Sequence, residues 1–267
     1  MVSFKYNGIS ALTLSEKITT PSFCMTKDGT TWYVPLFNGD AGEVISFDGY
    51  EYTLGTFKID NLRMAISRII GKKVVKVCCS ADTTWYIDNN NNLYGCGNCY
   101  YGQQGTGGTS NVLTFTKRAS NVKEVVCSAD TTWYITDSGD LYGCGIGDYG
   151  QQGSSDTSDV NTFTKRASNV KKVSCSRYTT WYIDNNNNLY GCGKGSYGQQ
   201  GSSDTSDVNT FTKRASNVKE VICSYNTTWY IDNNNNLYGC GYGFYGQQGT
   251  ETGTTYGTNV LTFTVKG

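Results

Sequence analysis

Three features of the sequence predict an all-β fold made by stacking one four-stranded unit. The first is a strict repeat. The frame LYGCGxxxYGQQG occurs four times, opened by Leu93, Leu141, Leu189 and Leu237 and closed by Gly105, Gly153, Gly201 and Gly249, each copy 48 residues after the last. A fixed period of this length marks a fold assembled from one supersecondary unit. The second is composition. With 32 Gly but only 2 Pro, and with 21 Tyr among many Thr, Asn and Ser, the chain supplies positive-φ turns and the aromatic and β-branched residues that suit strands. The third is turn chemistry at regular places: DNNNN at Asp88–Asn92, Asp184–Asn188 and Asp232–Asn236, and DSGD at Asp137–Asp140. Asn, Asp and Gly tolerate the left-handed backbone of tight hairpins.

The elements follow in order. Residues 1–20 fall outside the repeat and read as an N-terminal extension, a strand or hairpin suited to docking. A degenerate first repeat, 21–59, keeps TTWY around Trp32 but lacks LYGCG, and Val44–Phe47 is expected as its third strand. Next comes DNLRMAISRIIGKK, Asp60–Lys73. Its apolar spacing predicts a short helix inserted between the first and second blades, with Asp60 or Asn61 as N-cap and Gly71 at its end. Four complete repeats follow: 74–116, 122–164, 170–212 and 218–267. In the second of them, strand A is Val122–Ser128, strand B Thr131–Thr136 with TTWYI, strand C Leu141–Gly145, and strand D lies near Thr162–Thr164. A four-stranded meander repeated radially is a β-propeller. A linear solenoid needs polar caps, and the last repeat is as apolar as the middle ones. The expectation is one propeller domain, 21–267, of five four-stranded blades.

The run CSADTTWYITDSGDLYGCGIGDYGQQG resembles the repeat of the RCC1-like propellers (regulator of chromosome condensation type), whose units read approximately CGxxHTxALTxxGxVYxWGxNxxGQLG. The cysteine, threonine pair, tyrosine and GQ-G spacing fall in register in all four complete repeats, and the turn glycine does so at Gly139. Thr131 stands where that family has histidine, Cys144 where it has tryptophan, and GQQG replaces GQLG. The resemblance implies a propeller that binds proteins, including nucleotide exchange on a small GTPase or inhibition of an enzyme. Neither activity transfers residue by residue, because the loops match no such motif.

Several functions are disfavoured. Lys+Arg and Asp+Glu are both 22, so the basic footprint of a nucleic-acid binder is missing. No 18-residue apolar run suggests membrane insertion, and MVSFKYNGISALTLSEK does not read as a signal peptide. The chain has no histidine, and its acidic residues fall mostly in turn repeats, so a non-enzymatic protein is expected. No metal and no cofactor are expected. The cysteines lack paired zinc knuckles. Strand-A and strand-C cysteines of one blade sit two strand spacings apart, roughly 9–10 Å, beyond disulfide reach. They read as small buried residues of a reduced, cytoplasmically synthesised protein, compatible with later incorporation into a particle. Cys99, outside the pattern, is the candidate exposed thiol. DNNNN reads as a plain turn rather than a calcium loop, the GQQG glutamines as structural bonds, and the tryptophans as core.

The copies differ in two short windows. After GCG the letters are NCY, IGD, KGS and YGF; after CS they are AD, AD, RY and YN. In an antiparallel meander the A–B and C–D connections lie at one end, so both windows belong to one face, while DNNNN and RASNV belong to the other. The varied windows place Asn98, Tyr100, Asp130, Ile146, Asp148, Arg177, Tyr178, Lys194, Tyr225, Asn226, Tyr242 and Phe244 on that face as partner-binding candidates. Tyr and Arg dominate recognition hot spots. The expected function is a recognition module for a macromolecular partner, a protein or a glycan. A receptor-binding attachment protein of a phage or other particle is the alternative.

Overall fold

The computed structural model describes residues 4–6, 9–11, 22–27, 30–38, 40–47, 50–59, 62–69, 74–249 and 257–266. They form two compact units, Met1–Lys73 and Val74–Gly267.

The second unit is four antiparallel four-stranded sheets in sequence order, numbered blades I to IV. Blade I is β8 (Val74–Cys79), β9 (Thr83–Asp88), β10 (Leu93–Gly97) and β11 (Val112–Ala119). Blade II is β12 (Val122–Cys127), β13 (Thr131–Thr136), β14 (Leu141–Gly145) and β15 (Val160–Ala167). Blade III is β16 (Val170–Cys175), β17 (Thr179–Asp184), β18 (Leu189–Gly193) and β19 (Val208–Ala215). Blade IV is β20 (Val218–Ser224), β21 (Thr227–Asp232), β22 (Leu237–Gly241) and β23 (Val260–Lys266). In each blade the strands pair A-B-C-D. Strand D runs eight residues in blade II rather than the expected three, because Lys165 and Ala167 go on pairing with Tyr142 and Leu141 past a bulge.

The constant letters account for the blade. Trp133 pairs with Gly143 across strands B and C, and a Cβ on that glycine would overlap the indole; only glycine leaves room for the ring. The second glycine of GCG, Gly145, has φ 113° where strand C ends, a backbone that side chains rarely adopt. Trp133, Ile135 and Leu141 of blade II then close against Val170, Val173 and Tyr182 of blade III. The same cluster forms from Trp85 onward and from Trp181 onward. Trp85, Trp133 and Trp181 are wholly buried, and Phe163, Phe211 and Phe263 meet them edge-on at 5.8 Å. Burying an aromatic side chain of this size is worth about 4–6 kcal/mol of transfer free energy, so the joints between blades are where the unit is held.

The GQQG glutamines are structural. Gln103, Gln104, Gln151 and Gln152 are fully buried. Gln103 and Gln151 accept from the N–H groups of Tyr101 and Tyr149, while Gln104 and Gln152 donate to the Cys96 and Ile146 carbonyls. The strand-C thiols of Cys144 and Cys192 donate to the Gln103 and Gln151 carbonyls of the preceding blade at 3.4 Å. The DNNNN segments are turns: Asp88 accepts from the N–H groups of Asn90 and Asn92 and from the Asn92 amide at 2.9–3.1 Å, and Asn91 sits at φ 57°.

The first unit departs from expectation. It holds a two-stranded hairpin, β1 (Phe4–Tyr6) with β2 (Ile9–Ala11), and a five-stranded sheet of β3 (Ser22–Lys27), β4 (Thr30–Asn38), β5 (Val44–Phe47), β6 (Tyr50–Ile59) and β7 (Leu62–Ile69). The sheet order is β3-β4-β7-β6-β5. Residues 21–59 are expected to form the first of five four-stranded blades within one domain; four such blades are found among the described residues, and the described part of this segment falls in the first unit with a different strand order. Val44–Phe47 is a strand, but it pairs with β6 at the sheet edge, not with the TTWY strand. The predicted helix is the strand β7. Leu62, Met64 and Ile66 alternate with Arg63, Ala65 and Ser67, a period of two, and the ten-residue β6 is available to pair with it. Asp60, Asn61 and Gly71, its expected ends, lie outside the described residues.

Candidate recognition face

The A–B and C–D loops meet at one end of every blade. Asn98, Ile146, Lys194 and Tyr242 each donate a backbone N–H to the carbonyl of Asp82, Asp130, Tyr178 and Asn226 at 2.9 Å. The two varied windows are therefore joined, residue for residue, by one backbone bond per blade. Constant side chains brace the stems. Ser128 and Thr131 share a hydroxyl bond of 2.8 Å, Ser176 and Thr179 one of 3.0 Å. Asp159 and Asp207 accept from the N–H groups of Gly147 and Gly195 at 2.9 and 2.8 Å.

On this scaffold the aromatic letters of neighbouring blades touch. Tyr178 lies 5.3 Å from Tyr149 of blade II and 5.5 Å from Tyr225 of blade IV, both edge-to-face. The Lys194 ammonium sits over these rings, 4.6 Å from Tyr178, 4.7 Å from Tyr149 and 5.9 Å from Tyr197. Tyr197 contacts Tyr242 at 5.0 Å, and Tyr242 contacts Phe244 and Tyr245 at 6.1 and 6.2 Å. A cation over ring faces is attracted by their quadrupoles. Arg177 stands at one edge, its Nε 3.1 Å from the Asp130 carboxylate and its guanidinium 5.8 Å from the Tyr178 ring. Burial raises the Asp130 carboxyl, with Arg177 opposing; Asp130 in turn raises Arg177. The result is a belt of half-exposed tyrosines around one lysine, over blades II to IV.

The predicted residues divide. Arg177, Tyr178, Lys194, Tyr225, Tyr242 and Phe244 come together in the belt, and Tyr225 is 54% exposed. Asp130 is buried and acts through Arg177. Tyr100 is exposed but stands apart on blade I against Tyr101, 4.9 Å away, with Asn98 accepting from its N–H. Asp148 is exposed, and Asn226 contributes its carbonyl. Ile146 is 4% exposed: the residue just after strand C turns into the blade, so it belongs to the frame rather than the surface. Cys99, expected exposed, is fully buried and donates to the Gly108 carbonyl at 3.3 Å, because the long loop of blade I folds over it.

Tyr149, Tyr197 and Tyr245 were missed. They are the constant tyrosine of YGQQG, and a comparison built on variation passes over residues that do not vary. The signal was their place directly after the three varied letters.

Comparison with known proteins bears on the fold. Residues 170–199, the first three strands of blade III and the loop after them, match the family model of the regulator of chromosome condensation (RCC1) repeat. No curated protein matches the sequence. Among solved structures the chain is similar to human WBSCR16, at 18% identity and TM-score 0.63, covering 81% of this chain and 60% of that one. It is similar to Prp20p of Saccharomyces cerevisiae, described with its binding to Gsp1p and histones, at 16% and 0.64, covering 82% and 59%. It is also similar to yeast RCC1 (Prp20) bound to Kap60, at 17% and 0.63, covering 81% and 57%. The chain thus spans about three fifths of the length of these structures. At such identities the likeness is one of fold, and that fold is an RCC1-like β-propeller.

Proposed function

From an RCC1-like β-propeller with one varied face, we propose a non-enzymatic binding module that recognises a protein partner through its A–B and C–D loops. One observation carries the reading: the letters that differ between near-identical repeats assemble with the constant Tyr149 and Tyr197 across blades II to IV into a single surface of half-exposed tyrosines around Lys194. Such rings give large contact area with few rotatable bonds, and a lysine or arginine among them adds direction. The binding of Gsp1p and histones described for Prp20p supports a protein as partner class. A glycan is the alternative occupant, since sugar faces also stack on tyrosine rings.

The test compares the two faces. The triple variant Arg177→Ala, Tyr178→Ala, Tyr242→Ala should lose the partner captured by the native chain and melt within a few degrees of it. The opposite-face variant Asn186→Ala, Asn234→Ala should retain the partner. Equal capture by both variants rejects the reading. Specific, saturable binding on a glycan array with no protein captured moves it to the glycan.

A further inference from the structure

The first strands of neighbouring blades bring one pair of thiols together. Cys78 on β8 and Cys127 on β12 have their sulfurs 3.0 Å apart, and the Lys76–Glu124 ion pair, 2.9 Å, spans the same two strands. Both cysteines are half-buried. The position is singular within the repeat. At the next joint Val126 holds the place of Cys78 opposite Cys175. At the third joint Ser174 holds it, 3.5 Å from the Cys223 sulfur. One partner is a cysteine at each of the three joints between blades I to IV, and among the described residues only the joint between blades I and II supplies the second thiol.

We propose that Cys78 and Cys127 form an oxidative modification site, which takes a low-molecular-weight disulfide as oxidant and closes into a covalent link between blades I and II. The Cys78 thiolate attacks one sulfur of the small disulfide. That S–S bond breaks, one small thiolate leaves and takes up a proton, and a mixed disulfide forms on Cys78. Cys127 loses its proton to solvent and attacks the Cys78 sulfur, expelling the second small thiolate, which is protonated. Two protein thiols are oxidised to one disulfide, and one small disulfide is reduced to two thiols.

The geometry sets the order of attack. The hydrogen bond from Cys127 lowers the Cys78 thiol to about 7 against the opposing effect of burial, with Lys76 assisting; the same bond, then burial, pushes Cys127 up. The thiolate is the nucleophile, so Cys78 reacts first. Closing from 3.0 Å to a bonded S–S of about 2.05 Å needs a side-chain shift of about 1 Å. Three strand-C cysteines are committed elsewhere: Cys144, Cys192 and Cys240 are buried and donate to glutamine carbonyls, whereas Cys79 is exposed.

The experiment uses the full chain and oxidised glutathione. After incubation, free thiols are alkylated and the unreduced digest is read by mass spectrometry. The expected result is a Cys78–Cys127 linked peptide, a rise in Tm of several degrees, and loss of both with dithiothreitol. Cys78→Ser, which installs the residue blade III carries naturally, should fold, bear no link and show no rise. Glutathione left singly on either cysteine without the linked peptide overturns the proposal. So does a link that persists in Cys78→Ser.

Discussion

At one end of blade III, Asp184 accepts three hydrogen bonds from its own turn, from the N–H groups of Asn186 and Asn188 and from the Asn188 amide, at 2.8–2.9 Å. At the other end, Lys194 and Tyr178 meet through one backbone bond of 2.9 Å. The difference recurs in blades I and IV, where Asp88 and Asp232 accept the same three bonds. The DNNNN end is tied by side chains, including Asn185 to Asn169 at 2.7 Å and Lys171 to Asn187 at 2.9 Å. Where a side chain makes the tie, its chemistry is kept: Asp does it in blades I, III and IV, and in blade II the Thr136 hydroxyl accepts from the Asp140 N–H at 3.0 Å. The varied end is tied through N–H and C=O groups, which every residue except proline carries, so its side chains are free to change. Of the side chains that do brace that end, Ser176 and Thr179 recur in every complete repeat, and Asp207 is replaced only by Asn111 and Asn259, whose amide oxygens accept the same bond. Variation has been admitted at the positions that the backbone bond joins.

Both ends hang on the joints between blades, so the largest effect is expected there. Trp181→Ala should cost about 3–5 kcal/mol, because the ring is fully buried against Val218, Val221 and Tyr230. Trp229 carries the same letters around it, yet it is only half-buried in blade IV. Trp229→Ala should cost about 1–2 kcal/mol, since less area is removed from water. Urea unfolding of both variants measures the gap. Equal costs would mean that the local sequence, rather than the following blade, sets the energy.

The side-chain-tied end comes next. Asp88→Ala removes the acceptor of three bonds and leaves turn N–H groups unpaired, at about 1–2 kcal/mol. Burial works to raise the Asp88 carboxyl, but the bonds from Asn92, Asn90 and Tyr94 outweigh it and hold it below its usual value; Asp232 behaves alike. A depressed carboxyl binds its proton less readily in the folded state. Its contribution is therefore present above the unfolded value, about 3.9, and is lost as pH falls below it. Thermal melts from about pH 5 to about pH 3 should show native stability falling more steeply than that of Asp88→Ala. Parallel curves would remove Asp88 from the account.

Period and turn chemistry made the four blades legible. Strands B and C of blade II occupy the expected residues, because TTWYI and LYGCG each carry one strand and DSGD closes the turn between them. Strand D was foreshortened, since KRA looks polar and loop-like until its pairing past a bulge is known. The first unit was misread where a local pattern competed with long-range pairing. Leu62–Ile69 fits both a helical and an alternating template, and its neighbours β4 and β6 decide between them. TTWY alone did not make a blade, because β4 pairs with β7 instead of with a GCG strand. At the varied face, difference between copies located Tyr178, Lys194 and Tyr242. It also drew in Ile146, a varying letter that happens to point inward, and left out Tyr149 and Tyr197. Sequence variation reports which letters are free, whereas membership of a surface depends on which way each one points.

The smallest stability effect should come from rewriting the varied end itself. Giving blade III the letters of blade II means Arg177→Ala, Tyr178→Asp, Lys194→Ile and Ser196→Asp. Blade II already closes the same loops through the Ile146 N–H and Asp130 carbonyl, so the tie survives the exchange. The ring contacts and the cation over them are lost, at about 0.5–1 kcal/mol in all, and Tm should move by a few degrees at most. Partner binding, in contrast, should fall at least tenfold, because the Tyr178 and Lys194 contacts that join blades II to IV are removed. If the rewritten chain unfolds at more than about 2 kcal/mol below the native one, side chains hold this end as they do the other, and the distinction between the two ends fails. If it keeps its stability and also keeps its partner, the two ends differ as described but recognition lies elsewhere on the chain.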